Sequence, residues 1–272
     1  ETIIFLVLNQ NMSQSFSTPA LIFSIKPLGE NNSSVCFFTE TEGILYATMY
    51  GGHKSKLKSL VSPWNSGIAY FSKSTTTQFL KITDFEPKNY HLSFRQNLYK
   101  FWSASLAAEL VIKTKCAGSI DKSWTLLNGF LDGLELCKEK NQCTAGLIRF
   151  LWRYIDLMGI KPDSSRCSHC GQIFFTSKNL TDTVSYTSEG AVFNPQENSF
   201  ICQSCTNEKV PFFLKNEALQ YLTAITTLTP SQTRLIPLDE EAAYQIKQLV
   251  FFLAETSCNS KLKSIETGMG IL

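Results

Sequence analysis

Two Cys-x-x-Cys pairs, Cys167 with Cys170 and Cys202 with Cys205, are the residues whose type and spacing most directly specify chemistry. Two thiolates three positions apart on a tight turn can reach one cation, and two such turns complete a tetrahedron. Gly171 follows the first pair and supplies the backbone freedom such a turn uses. Four thiolates leave no open coordination position, so the pattern points to one structural zinc ion rather than a catalytic zinc carrying water. An iron–sulfur cluster is the minor alternative and usually has other spacings. No βαβ context supports a redox dithiol. His169, between the first two cysteines, is expected to be an exposed loop residue. The Thr/Ser/Asn-rich stretch 176–188 is expected to form an extended β-loop between the pairs.

The second chemistry-bearing stretch is "YGGHKSKLKSL", residues 50–60. If it is extended, Lys54, Lys56 and Lys58 place three ammonium groups on one face, with His53 beside them and Tyr46, Tyr50 and Trp64 nearby. Lysines pairing with phosphates and rings stacking on bases is how small barrels hold single strands. The bland reading is a solvated loop. Farther on, Arg95 and Lys100 flank a helical segment, and Arg149 and Arg153 sit four residues apart around Trp152. They could decorate amphipathic helices, extend a nucleic-acid track or receive an acidic peptide. His53 and His91 lack a catalytic partner motif and read as a turn residue and a helix-entry residue. There is no G-x-x-x-x-G-K-[ST], G-x-S-x-G or H-E-x-x-H sequence, and the carboxylates are scattered. Binding is therefore expected, not catalysis.

These residues need elements to hold them. A chain of 272 residues, 43% hydrophobic, has ample core for several units. The net charge of +2 draws nothing to the whole protein, so any basic surface must be local. Residues 88–160 hold ten Lys and Arg against six Asp and Glu, the main positive excess. Nine cysteines without a regular framework fit a reducing cytosol. Residues 1–18 are expected to be an N-terminal extension, with 1–11 upstream of a more conventional start at Met12. The apolar run Ile3–Leu8 is too short, and its flank too acidic, for a signal peptide. No later segment approaches a membrane span. Five β-rich runs at 20–27, 34–40, 43–50, 68–72 and 78–85, separated by turn residues, predict a small closed barrel over 19–87. Five is the OB-fold number, and an SH3-like barrel has a similar signature. Helical periodicity follows over 88–160, including Leu98, Trp102, Leu106 and Leu110 at four-residue intervals. The cysteine module, 161–210, then interrupts the helices, and helices over 211–272 are expected to pack back on the earlier ones. The fold class is α+β multidomain: a five-stranded OB-fold β-barrel, then an α-helical domain carrying an inserted four-cysteine zinc-finger module.

This order of parts resembles the bacterial RecO recombination mediators. The residues that carry the likeness are Gly43, Gly51, Lys54, Ser55, Leu57, Leu60, Pro63 and Trp64 of the barrel, the four cysteines, and Leu262, Lys263 and Ser264 near the end. Two departures stand out. Family members usually carry Arg-rich sequence after the second glycine, where this chain has His53 and three lysines, and the interval between its cysteine pairs is longer. The resemblance implies a cytoplasmic, nucleoid-associated protein of DNA repair that binds single- and double-stranded DNA and anneals complementary strands. It also implies action with RecR to load RecA, with the helical domain taking the acidic-hydrophobic tail of single-strand-binding protein. DNA would meet Lys54, Lys56, Lys58 and His53, together with Arg95, Arg149 and Arg153. The rival expectation is a protein–protein adaptor with a structural zinc module and no DNA role.

Overall fold

Alternating apolar residues build the first unit. The computed structural model describes residues 13–51, 56–74, 79–176, 185–186, 189–206 and 212–272. It divides after Leu92 into two units. In the first, β1 (Ser13–Leu28), β2 (Asn32–Thr39), β3 (Gly43–Met49), the short helix α1 (Lys56–Leu60), β4 (Ser66–Ser74) and β5 (Leu80–Asn89) follow in turn. The strands close in the order β1-β2-β3-β5-β4, with β4 returning to β1. All pairs are antiparallel except β3 with β5, which meet in parallel at Thr48 and Lys81. A five-stranded barrel of this order with its helix between β3 and β4 is the OB-fold. Every second residue points inward: Ala20 and Ile22, Val35 and Phe37, Ala47 and Met49, Ala69 and Phe71 form the core with Ile82 and Phe85. Leu57 and Leu60 of α1 pack against it.

Residues 13–18 do not belong to an extension. They are the start of β1, paired with β4 from Ser13 opposite Ser74. Their single large apolar residue, Phe16, packs on Phe71 with ring centroids 5.2 Å apart, too little alternation to read as a strand. Residues 1–11 lie outside the described residues.

The second unit is helical. A 3-10 turn, Leu92–Arg95, spans the division, and the helices α2 (Leu98–Lys113), α3 (Ile120–Leu136) and α4 (Lys140–Leu157) follow. Then come β6 (Phe175–Thr176), β7 (Ser185–Tyr186), β8 (Gly190–Asn194), β9 (Ser199–Cys202) and β10 (Phe213–Lys215). The chain ends with α5 (Asn216–Thr227), α6 (Pro230–Thr233), α7 (Glu240–Ser257) and α8 (Lys263–Thr267). Helix α4 is the hub: α2, α3, α5 and α7 all pack on it. That is why Ile148, Phe150 and Trp152 are buried along with Leu147, Leu151, Tyr154 and Ile155, more than one helix face. The strands β6 and β7 pair with each other around residues 177–184, which are outside the described set. A second small sheet runs β10-β8-β9. Among the described residues no helix is long and apolar enough to cross a membrane.

The Leu262-Lys263-Ser264 stretch has a structural role. Leu262 is fully buried, and the Glu109 carboxylate of α2 accepts hydrogen bonds from the backbone N–H groups of Lys263 and Ser264 and from the Ser264 hydroxyl. Lys113 adds an ion pair to Glu109 at 3.2 Å. Burial alone would raise the Glu109 pKa, but these donors hold it below the ordinary 4.5. A carboxyl with a depressed folded-state pKa stabilises fully above its unfolded value and loses that contribution as pH falls through the folded one. Exchange of the Ser264 amide hydrogen should therefore accelerate selectively below about pH 4.5, and Glu109→Gln should abolish that pH dependence. Exchange that ignores pH in the parent protein would refute the capping role.

Candidate functional site: a four-cysteine centre and two basic surfaces

The cysteine centre is assembled by two turns and one strand end. After α4, the Gly171 N–H donates to the Cys167 carbonyl at 3.0 Å, with Gly171 at φ 73°, a conformation that favours glycine. The Cys167 N–H donates to the Gln172 carbonyl at 2.8 Å and closes this first turn. The second turn leaves β9, where the Cys205 N–H donates to the Cys202 carbonyl at 3.0 Å. The turns are tied together by Ser168 N–H to the Phe200 carbonyl and by Cys202 N–H to the Cys167 sulfur.

All four sulfurs lie within 4.8 Å of one another, Cys170 and Cys202 at 3.7 Å. A tetrahedron with metal–sulfur bonds of about 2.3 Å has edges of about 3.8 Å. The donor set and spacing thus fit a metal ion such as zinc. The electrostatics agree. Burial works against charge on Cys167, yet backbone N–H groups of Cys170, Cys202 and His169 bring its thiol down to about 6. Cys205 is pushed up to about 12 by its hydrogen-bonded neighbours Cys202 and Cys170. Several thiolates this close need a cation to neutralise them. His169 is not a ligand: its Nε2 meets a carboxylate oxygen of Glu197 at 2.9 Å in an exposed pair.

The lysine segment differs from an extended strand. Residues 52–55, with His53 and Lys54, fall outside the described residues. Lys56 and Lys58 are exposed on α1. Two positions apart on a helix they point to different sides and do not share a face. Leu57 and Leu60 drive the helix by packing on the barrel core. Trp64 is unavailable for stacking on a base: it is buried at φ 71° with its ring against Phe23. His91 is buried as well, its Nδ1–H donating to the Trp64 carbonyl at 2.8 Å. Tyr46 and Tyr50, by contrast, are exposed.

In the helical unit Arg95 is exposed at the end of its 3-10 turn. Lys100 is buried, its ammonium donating to the Ser93 hydroxyl and the Glu135 carbonyl, so it offers no charge to a ligand. Arg149 and Arg153 line one groove of about 640 Å³ between α3, α4 and the segment that follows α5. Arg149 donates to the Tyr221 hydroxyl and Arg153 to the Thr233 hydroxyl, which fixes both guanidinium groups. Sequence reading missed Arg234, which lines the same groove with its guanidinium over Gly133 of α3. It follows a Pro-capped turn in "PSQTRLIP" and reads as linker. Burial, then the charges of Arg149 and Arg234, lower the Arg153 pKa. Three cations around an apolar floor favour a ligand that is both acidic and hydrophobic.

Among the described residues the four cysteines are the one cluster of three or more side chains placed to hold a metal. No curated protein matches the chain. The family model described as recombination protein O C terminal matches residues 95–266, well over half of the sequence, covering the helices, the cysteine centre and the arginine groove. The chain belongs to the recombination protein O family.

Proposed function

We propose that this protein is a non-enzymatic, DNA-binding mediator of recombinational repair that acts in the cytoplasm. It binds single- and double-stranded DNA, anneals complementary strands, and helps RecR load RecA on strands coated with single-strand-binding protein. The observation that carries this reading is the family match over 95–266, preceded in the same chain by an OB-fold barrel. Lys54, Lys56 and Lys58 neutralise phosphates, with Arg95 as a further contact. One zinc ion held by Cys167, Cys170, Cys202 and Cys205 is structural. The arginine groove takes the acidic-hydrophobic tail of single-strand-binding protein: Arg149, Arg153 and Arg234 meet its carboxylates and the apolar floor its side chains.

Phosphate contacts make affinity fall with salt, by a logarithmic slope of about 0.7 per contact on single strands. Changing Lys54, Lys56 and Lys58 together to Ala should weaken binding to strands of any sequence and flatten the slope by about 2. Anisotropy titrations across salt concentrations read both quantities. If affinity and slope survive, the lysines are not the contact.

The arginine groove also favours a second reading, an adaptor without a DNA role. An adaptor binds no oligonucleotide at low salt, yet binds an acidic peptide and loses it on Arg234→Glu.

A further inference from the structure

Five cysteines lie outside the metal centre, and two of them meet at the arginine groove. Cys137 is the first residue after α3; it is half-buried and lines the groove. Cys143 lies near the start of α4 and is only 2% exposed. The two are six residues apart across the α3–α4 connection, with their sulfurs within hydrogen-bonding reach of each other. The Cys137 backbone has already left the helix, at φ −64° and ψ 134°, so its side chain can turn without breaking α3. As a thiol it donates to the Gly133 carbonyl at 3.2 Å. As a thiolate it accepts from the Cys143 S–H instead. Sulfurs already in contact need only a small shift to bond.

The two thiols differ in character. The Cys143 S–H holds the Cys137 thiol below its ordinary 9.0 against the opposing effect of burial, helped by the charges of Lys100, Arg149 and Arg234. Cys143 is pushed the other way, by Cys137 first and by burial second. Burial also raises Cys36, Cys116 and Cys258. Cys137 thus combines an ionisable sulfur with an open face, and Cys143 is the protonated thiol behind it.

We propose that Cys137 is an oxidant-sensing modification site in the arginine groove: peroxide oxidises its sulfur, and Cys143 resolves the product as a disulfide linking α3 to α4. In the first step the Cys137 thiolate attacks one peroxide oxygen, the O–O bond breaks and hydroxide leaves, giving a sulfenic acid. In the second the Cys143 sulfur attacks the Cys137 sulfur, the S–O bond breaks and water leaves with the Cys143 proton. Two thiols are oxidised to one disulfide, and the peroxide is reduced to water. Exchange with a small thiol restores both cysteines, as suits a transient disulfide in a reducing compartment. Oxidation removes a negative sulfur from among the arginines, so the groove gains positive charge. The proposal needs only the two thiols and the groove, and stands apart from the DNA-binding reading.

The test uses full-length protein, reduced and then exposed to a small molar excess of hydrogen peroxide. Trypsin, cutting after Lys122, Lys138, Lys140 and Arg149, leaves Cys137 on peptide 123–138 and Cys143 on peptide 141–149. Mass spectrometry without reductant should find the two joined, and dithiothreitol should separate them. Cys36, Cys116 and Cys258 should react at least about tenfold more slowly than Cys137. Cys137→Ser should leave Cys143 reduced, because the oxidant reaches it only through Cys137. Cys143→Ala should stop the reaction at the sulfenic acid, which dimedone traps on the Cys137 peptide. Absence of the joined peptides from the parent protein overturns the proposal whatever the variants do. So does an oxidised Cys143 in folded Cys137→Ser, or oxidation of all five thiols at one rate.

Discussion

Cys202→Ser should dismantle the two cysteine turns without unfolding the helical unit around them. Zinc binding at a four-thiolate site of this kind contributes about 10–16 kcal/mol near neutral pH. That rivals the net stability of a whole domain, about 5–15 kcal/mol. The structure limits how far the damage spreads. Phe193 of β8 packs on Phe200, Phe212 and Phe252, the last on α7, so the β10-β8-β9 sheet has apolar support of its own. The first turn has less. Phe174 is buried there, while Ile173 and Cys170 are exposed. Limited proteolysis of the variant, or of the parent stripped by a chelator, should cut within 164–176 and 203–206 and spare α7. Oligonucleotide affinity should stay within about twofold, because the proposed contacts lie in the barrel and at Arg95, not in the cysteine turns. Loss of DNA binding with both turns still resistant to protease would move the functional site to the cysteines.

How much of this was legible in sequence depended on how local the signal was. Cys167, Cys170, Cys202 and Cys205 were readable because the chemistry sits in the spacing itself, and the turns needed only Gly171 and a strand end. The five strands were readable from alternation, but Ser13–Thr18 was not, because its partner β4 lies some fifty residues away and only Phe16 marks the inward face. On α2 the large residues marked only part of the buried face. Leu106 and Leu110 are fully buried as the spacing implies, but Leu98 is 64% exposed, and Tyr99, Ser103, Ala104 and Ala107 are buried as well. Small residues let helices approach closely, which a pattern built on bulky side chains does not register. Lys100 looked like a surface cation and is buried, because the Ser93 hydroxyl and the α3 C-terminal carbonyl of Glu135 accept hydrogen bonds from its ammonium. The arginine groove was half visible: Arg149 and Arg153 share α4, but Arg234 joins them only through tertiary packing.

Gly67→Ala should be the most damaging small substitution in the barrel. Gly67 of β4 pairs with Pro87 of β5, and a Cβ there would lie 2.0 Å from the Glu86 carbonyl oxygen and 2.8 Å from the Pro87 Cα. Both are backbone atoms of the neighbouring strand, so no rotamer change relieves the clash. The register also shifts between Ser66 and Gly67, so the pairing is already irregular at this point. Relief would need β5 to move away from β4, at a cost of about 3 kcal/mol or more. Gly29→Ala is the matched control. Nothing lies within 4 Å of its Cβ, and its φ of 67° should cost only about 1–2 kcal/mol. Denaturant melts followed by tyrosine and tryptophan fluorescence should rank the two in that order. Should Gly67→Ala melt like Gly29→Ala, the close approach of β4 to β5 at Gly67 does not limit the stability of the barrel.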